Sequence, residues 1–230
     1  MNAQPEAGFW IEPVSQTASV ARMDAEHFQP AYKELEASLR RTGEAVRLDQ
    51  LVSYCKRGLQ PVYIPDGEVL VVNSQHVGER FINVDGAERT SLEQYKERPK
   101  AAVEKYDVLM NSTGLGTIGR VNCVLHDEPT VVDNHVTIIK VKPGAIDPLY
   151  LSVFLNSDLG RQQTYKWQKG SSGQLEIYED DIRRFWVLVP DESVQEGIAD
   201  QLRTAFELTR RANATARDAA LAVLNMVDRP

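Results

Sequence analysis

Apolar residues change their spacing repeatedly along the chain, and each change marks an element. Tyr32, Leu35 and Leu39 recur at intervals of three and four ahead of Gly43, with Pro30 at the start of the run. That spacing predicts a helix from about Pro30 to Arg41, with Asp24 before it as a candidate cap. Residues 1–20, rich in Ser, Thr, Gln and Pro, read as an arm or edge strand. From Val46 to about Val141 the pattern becomes short β-rich runs broken by turn residues. EVLVVNSQHV predicts a buried strand with a polar end, RFINVDGAERT carries an Asp-Gly turn, and SLEQYKERPKAAV predicts a short helix. YDVLMNSTG, TIGRVNCVL and TVVDNHVTIIKVKP predict three further strands. Leu149, Leu151, Val153, Phe154, Leu155 and Leu159 then fit one helix of about four turns, entered through Asp147 and Pro148. QKGSSGQLEIYEDDIRRFWVLVPD reads as a Gly/Ser loop, a short strand, a helical turn and an apolar strand stopped by Pro190.

From Glu192 to about Met226 one helical pattern runs without Gly or Pro after Gly197. Leu202, Ala205, Thr209, Ala212, Ala216, Ala219, Val223 and Met226 alternate spacings of three and four, which is heptad phasing. At 1.5 Å per residue the helix is about 50 Å long. Small side chains on this seam permit close approach of another helix, so the positions from Leu202 to Val223 are candidates for a partner-helix interface. The plainer alternative is an amphipathic helix packed on its own domain. The fold class is therefore α/β (α+β): a mixed, mainly β domain with flanking helices over residues 1–190, then a long coiled-coil-type helix over residues 191–230.

Composition narrows the class without choosing a function. The 230 residues are 42% hydrophobic and 26% charged, near the average for folded proteins. No apolar run approaches the roughly 18 residues of a membrane span, and MNAQPEAGFWIEP lacks the layout of a signal peptide, so the cytoplasm is expected. Cys55 and Cys123 stand far apart, and His27, His76, His126 and His135 are scattered, which suggests neither a disulfide framework nor a metal site. The net charge of −7 argues against nucleic acid only if the cations are spread evenly.

One motif invites an enzymatic reading. Gly114, Gly116 and Gly119 in MNSTGLGTIGRVN match G-x-G-x-x-G, with Asp133 where a ribose-binding acid would sit. A dinucleotide fingerprint needs a helix to start at the last glycine, because the helix N-terminus meets the pyrophosphate. RVNCVL follows instead, rich in β-branched residues. The glycines are better read as a tight turn joining two strands, bringing Asn111, Ser112 and Thr113 to a surface. No Walker phosphate loop, H-E-x-x-H or G-x-S-x-G occurs. Asp66 and Glu68 lack the lysine expected after a nuclease carboxylate pair. No catalytic residue, cofactor or metal is expected.

Reading DNA needs cations for phosphates and amide, hydroxyl or guanidinium groups for base edges. RQQTYKWQKGSSGQ carries Arg161, Lys166 and Lys169 without an acidic residue, with Tyr165 and Trp167 interleaved and Ser171, Ser172 and Gln174 following. NSQHVGER ends a buried strand in Ser74, Gln75, His76 and Arg80, and KRGLQ adds Lys56 and Arg57. With Ser112 and Thr113 these form the candidate DNA-binding set. Gln75, Ser172 and Gln174 are the candidates for base contact. Each has a plainer account: packed aromatics, a closed loop, solvated lysines.

The order of the motifs resembles a known family. YDVLMNSTGLGTIGRVN resembles the D-hydrophobic-L-x-S-x-x-G-x-x-G strand pair of target recognition domains in specificity subunits of type I restriction-modification systems. DNHVTIIKVKPGAIDPLYLSVFLNSDLGRQQ is similar to the strand and helix that follow it there. KGSSGQLEIYEDDIRRFWVLVPD resembles the family's Gly/Ser/Thr loop, short helix and Pro-ended strand, and SVQEGIADQL resembles the start of its spacer helix. RMDAEHFQPAYKEL is similar to the R-hydrophobic-D-A-E-x-Y-x-P opening of such subunits and of fused methyltransferase-specificity chains. The likeness runs from about Arg22 to Met226, with one recognition domain and one spacer helix where a full subunit has two of each. It implies a non-catalytic, sequence-specific reader of double-stranded DNA. Implied partners are DNA methyltransferase subunits, a restriction or motor subunit, or a second copy of this chain through the C-terminal helix, in a methylation-based phage-defence complex. A protein-protein adaptor and a small nucleotide-binding enzyme are the rivals.

Overall fold

The computed structural model describes residues 12–20, 22–170 and 173–227. Residues 1–11 of the expected arm, and the candidates Ser171 and Ser172, lie outside the described residues. The element order is α1 (Val14–Val20), a 3-10 turn (Ala25–Phe28), α2 (Pro30–Arg41), β1 (Ala45–Arg47), α3 (Leu48–Leu51), β2 (Val52–Arg57), β3 (Val69–Val72), β4 (Arg89–Thr90), α4 (Leu92–Glu97), β5 (Ala102–Val103), β6 (Val108–Asn111), β7 (Val121–Cys123), β8 (Thr130–Val132), β9 (Val136–Val141), α5 (Pro148–Asn156), α6 (Asp158–Trp167), α7 (Glu179–Ile182), β10 (Trp186–Leu188) and α8 (Glu192–Val227).

Two four-stranded sheets form the body. One is antiparallel, ordered β2-β9-β6-β7; the other is ordered β4-β3-β8-β5, with β3 and β8 parallel. Leu109 and Ile138 of the first sheet pack with Val72 and Val132 of the second. On the opposite face Met110 and Ile139 join Leu151 and Leu155 of α5, Ile182 of α7 and Phe185. Burial on both faces explains why VLMN and VTII read as continuous apolar runs rather than alternating ones. Strands β1 and β10 pair apart from the sheets, with α2 packed on β10.

The helix over Pro30–Arg41, the helix after Ser91, and the long C-terminal helix form where their spacing predicts them. Ser91 accepts the Gln94 amide at the start of α4, and Asp147 accepts the Leu149 and Tyr150 amides at the start of α5. Three expectations are corrected. Part of the supposed arm is α1, a helix. TVVDNHVTIIKVKP is two strands in different sheets, because Asp133 accepts the His135 amide at 2.9 Å and turns the chain between them. The single helix over Leu149–Leu159 is two: Ser157 is extended at φ −72°, ψ 170°, and its hydroxyl donates to the Phe154 carbonyl. Helix α6 then turns so tightly over α5 that a Cβ on Gly160 would lie 2.1 Å from the Leu155 carbonyl oxygen. A straight continuation would carry Leu159 away from the core it packs against.

Helix α8 begins as part of the body, with Ala199 fully buried and Ile198 and Leu202 partly so. From Glu207 to Met226 every residue is exposed. No helix among the described residues is long and apolar enough to cross a membrane.

The two helical glycines give opposite outcomes on substitution. A methyl group at Gly197 would meet nothing within 4 Å, so Gly197→Ala raises stability by up to about 1 kcal/mol through helix propensity alone. Gly160→Ala forces backbone apart and lowers it by about 2–3 kcal/mol. Urea-denaturation midpoints of the two variants check both signs.

Candidate nucleic-acid interface

The parallel pairing of β3 with β8 puts the C-terminal ends of both strands side by side, Val72 opposite Val132. Strand β9 starts after a three-residue turn at the same end, beside Asn111 at the end of β6 and near Arg57 at the end of β2. The loops that leave these strands therefore meet on one rim. Asn111 binds them together: its side-chain amide donates to the Ser74 carbonyl at 2.9 Å and the Val77 carbonyl at 3.3 Å. The Ser112 amide donates to the His135 carbonyl, the Gly114 amide to the Leu175 carbonyl, and the Ile177 amide to the Ser112 carbonyl.

Several candidates reach this rim. Lys56, Gln75 and Gln174 are exposed on it, and Thr113 meets the exposed His135 ring at 2.9 Å. Arg57 donates to the Ile177 carbonyl at 2.9 Å, and Lys169 pairs with Asp181 at 2.7 Å. Both cations lie over the Tyr178 ring, at 5.1 and 5.2 Å, and the ring is 43% exposed. Tyr178 and His135 join the rim unforeseen; the only signal for Tyr178 was its place after the Gly/Ser loop. Ser74 and His76 belong to a turn closed by Asn73, whose amide donates to His76 Nδ1 at 3.0 Å. Burial holds the His76 imidazole below its ordinary pKa, so it reaches this turn as a neutral acceptor.

Ser112 is a correction. Its side chain is fully buried and shares a hydrogen bond with Thr137, and Asn111 is equally buried, so the hairpin shows only Thr113 and the tip beyond it. The turn is a nine-residue loop, 112–120, rather than a tight one. It returns directly into β7, with all three glycines at positive φ. Gly119 lies against Thr164 of α6, and Asp133 spends an oxygen on the His135 amide, so neither serves a nucleotide.

The basic stretch on α6 is the second correction. Lys166 is 9% exposed, pairs with Glu36 of α2, and lies over Trp167. Arg161 turns back to the carbonyl and side-chain oxygen of Asn156. Lys169 faces α7. The three cations thus go to three different neighbours, and the acids missing from the local sequence arrive from Glu36 and Asp181. Arg80 is exposed but away from the rim, lining a cleft of about 590 Å³ with Arg210 and Arg217 of α8. In this cleft Phe81 meets Phe206 edge-on at 5.4 Å, and Arg217 pairs with Asp85.

Beyond Glu207 the seam positions Thr209, Ala212, Ala216, Ala219 and Val223 are exposed, as is Ala205. Leu202 is the exception, since it packs on the body's core. Both cysteines are buried and free; burial pushes the Cys55 thiol up to about 12 and raises Cys123 as well, which leaves neither as a nucleophile.

Comparison with known proteins fits this geometry. The family described as the Type I restriction modification DNA specificity domain matches residues 62–217. The chain belongs to this family. The specificity domain shares its fold with the S subunit of the type I restriction-modification system from M. genitalium, at a TM-score of 0.54 and 18% identity over 80% of this chain and 46% of that one. It also resembles the type IIG restriction endonuclease BpuSI, at a TM-score of 0.52 and 9% identity over 84% of this chain and 30% of that one. The chain thus spans about half the length of the S subunit it matches. A search of curated protein sequences gave no match. Members of the family supply DNA specificity rather than catalysis.

Two outcomes follow from the burial of charged and titrating groups. Lys166→Ala leaves Glu36 without its partner and lowers stability by about 2 kcal/mol, measured as a shift in the urea midpoint. Burial depresses the imidazole pKa of His27, His76 and His126 below the usual value of about 6.5. Above that value both states are neutral; as pH falls through it, the unfolded chain binds protons that the folded chain refuses, and stability drops. Thermal unfolding between about pH 7 and pH 5 should show a falling Tm, and His126→Leu should shrink the fall. Neither ring nitrogen of His126 meets a well-aligned hydrogen-bond partner, so that variant costs little at neutral pH.

Proposed function

We propose that this specificity domain reads one part of a double-stranded DNA site through the rim and presents it to a methyltransferase docked along α8. The observation that carries the reading is the convergence of five chain segments on one end of the body, where Lys56, Gln75, Thr113, Gln174 and the Arg57–Tyr178–Lys169 group stand together. The cations contact phosphates, and Gln75 and Gln174 reach base edges in the major groove. Residues 1–190 form the reading body and the exposed part of residues 191–230 the coupling rod. The partner methyltransferase flips the target adenine, and a restriction or motor subunit joins in a complex that also cleaves. In a cell the assembly marks host DNA and serves phage defence in the cytoplasm.

A rod exposed on every side through its last turns is unusual for a helix that serves only its own domain, since most helical stability comes from a packed apolar face. Its run of Ala at seam positions suits close helix-helix contact, either with a methyltransferase helix or with α8 of a second copy.

Co-expression with the neighbouring genes, followed by affinity purification and methylation mapping of host DNA, tests the reading. The wild-type chain should bring down a methyltransferase and produce adenine methylation at one motif, lost when the chain is deleted. Ala212→Asp with Ala219→Asp should abolish both co-purification and methylation while the thermal transition of the body stays within about 2 °C. An unchanged methylation map after deletion would overturn the reading.

A further inference from the structure

On the flank of the body below the rim, arginines from three separate segments gather around two tryptophans. Arg40 of α2 and Arg47 of β1 both lie over the Trp186 ring, at 5.4 and 4.1 Å, and Arg184 lies over Trp167 at 5.2 Å. Arg47 also donates to the Arg184 carbonyl, and Arg183 donates to the Cys55 carbonyl at 3.4 Å. Lys142 adds a cation beside them, donating to the Gln50 carbonyl at 2.7 Å. None of these five side chains makes an ion pair among the described residues, although the chain carries an excess of seven acids. Two acids, Glu36 and Asp49, line the cluster's pocket, and Glu36 is paired with Lys166.

We infer that Arg40, Arg47, Arg183 and Arg184 form a phosphate-binding flank that holds the backbone of duplex DNA next to the recognition rim. The inference rests on the DNA-reading function proposed above and adds a second contact surface to it.

The geometry favours a rod of phosphates over a folded acidic partner. Strand β2 is the edge of its sheet, and α7 lies along it, with the Arg57 amide bound to Glu179 and Arg183 bound to Cys55. Lys56 and Arg57 sit at the rim end of this strand, and Arg47 lies beyond its other end, across α3. Six extended residues span about 20 Å. The cations therefore form a line, and 20 Å is about six base-pair steps at 3.4 Å each. Trp186 lies under the guanidinium groups of Arg40 and Arg47 and Trp167 under that of Arg184, and a guanidinium held over a ring can bind a phosphate through two parallel N–H bonds. A pocket of about 250 Å³ lined by Arg47, Arg183, Arg184, Lys166 and Trp167, with Glu36 and Asp49 also on its wall, sets four cations against two acids and gives an anion room to enter. Burial lowers the Arg47 pKa; Glu36 and Asp49 oppose this, and Arg184 and Arg40 add a smaller lowering.

The test uses the full chain with the subunits that co-purify with it. The probes are one duplex carrying the methylated motif and one scrambled duplex, titrated at several salt concentrations. Arg40→Gln with Arg184→Gln removes two exposed cations that fill no core space. The slope of log K against log salt should become less steep by about 1.8, with affinity for both duplexes reduced by the same factor, about tenfold or more, and the preference between them kept. Arg40→Lys with Arg184→Lys should restore most of the slope. An unchanged slope in the glutamine variant, while Lys56→Ala still weakens binding, would overturn the flank and leave the rim intact. Loss of subunit co-purification with an unchanged slope would assign the arginines to an acidic protein surface instead, and also overturn it. A wild-type complex that binds no duplex would remove the recognition reading, and the flank with it.

Discussion

The parallel register of β3 and β8 is the constraint on which the recognition end of the molecule depends. Parallel neighbours must have their C-terminal ends together, and a long crossover must join them. Here that crossover contains β4 to β7, so the chain builds half of its antiparallel sheet before returning to β8. The short turn at Asp133 then passes the chain from one sheet to the other. As a result the loops after β3, β6 and β8 open on the same side, with the end of β2 beside them. A buried amide, Asn111, ties the first of these loops to the sheet. The rim is thus assembled from segments about a hundred residues apart, held largely by backbone hydrogen bonds that side-chain variation at the tips does not disturb.

The same architecture explains how an acidic chain keeps basic surfaces. Its cations follow three fates. Lys166 is consumed inside the helical layer, where it links α2 to α6. Arg57 and Lys169 are held at the rim by acids of the segment around α7, with Tyr178 between them. The flank arginines lie over tryptophan rings or donate to carbonyls and make no ion pair among the described residues, although Glu36 and Asp49 stand close to Arg47. Net charge averages over these fates and so says little about any one face.

Helix α8 joins two roles in one element. Its first turns complete the core through Ala199 and Leu202, which fixes the direction in which the rest departs. Contacts of Phe206 with Phe81 and Arg217 with Asp85 steady one side of it, while the Ala-rich seam stays open. A rod anchored in this way holds its exposed seam at a fixed position relative to the body.

Local pattern carried the element types: the helix at Pro30–Arg41, the buried strands, the heptad rod and the absence of a helix after Gly119 were all legible, because periodicity and turn chemistry act between residues a few positions apart. Motif order carried the family. Strand pairing and the burial of polar and charged side chains were not legible. Arg161, Lys166 and Lys169 look like one basic face in a chain of letters, yet Asn156, Glu36 and Asp181 draw them to three places. Ser112 looks like a hairpin tip and lies in the core. TVVDNHVTIIKVKP looks like one strand and serves two sheets. Some deciding partners are remote along the chain, as Glu36 is from Lys166 and Thr137 from Ser112, and others are as near as Asn156 is to Arg161; hydrogen bonds, ion pairs and close packing act over a few ångströms of space, whatever the number of residues between.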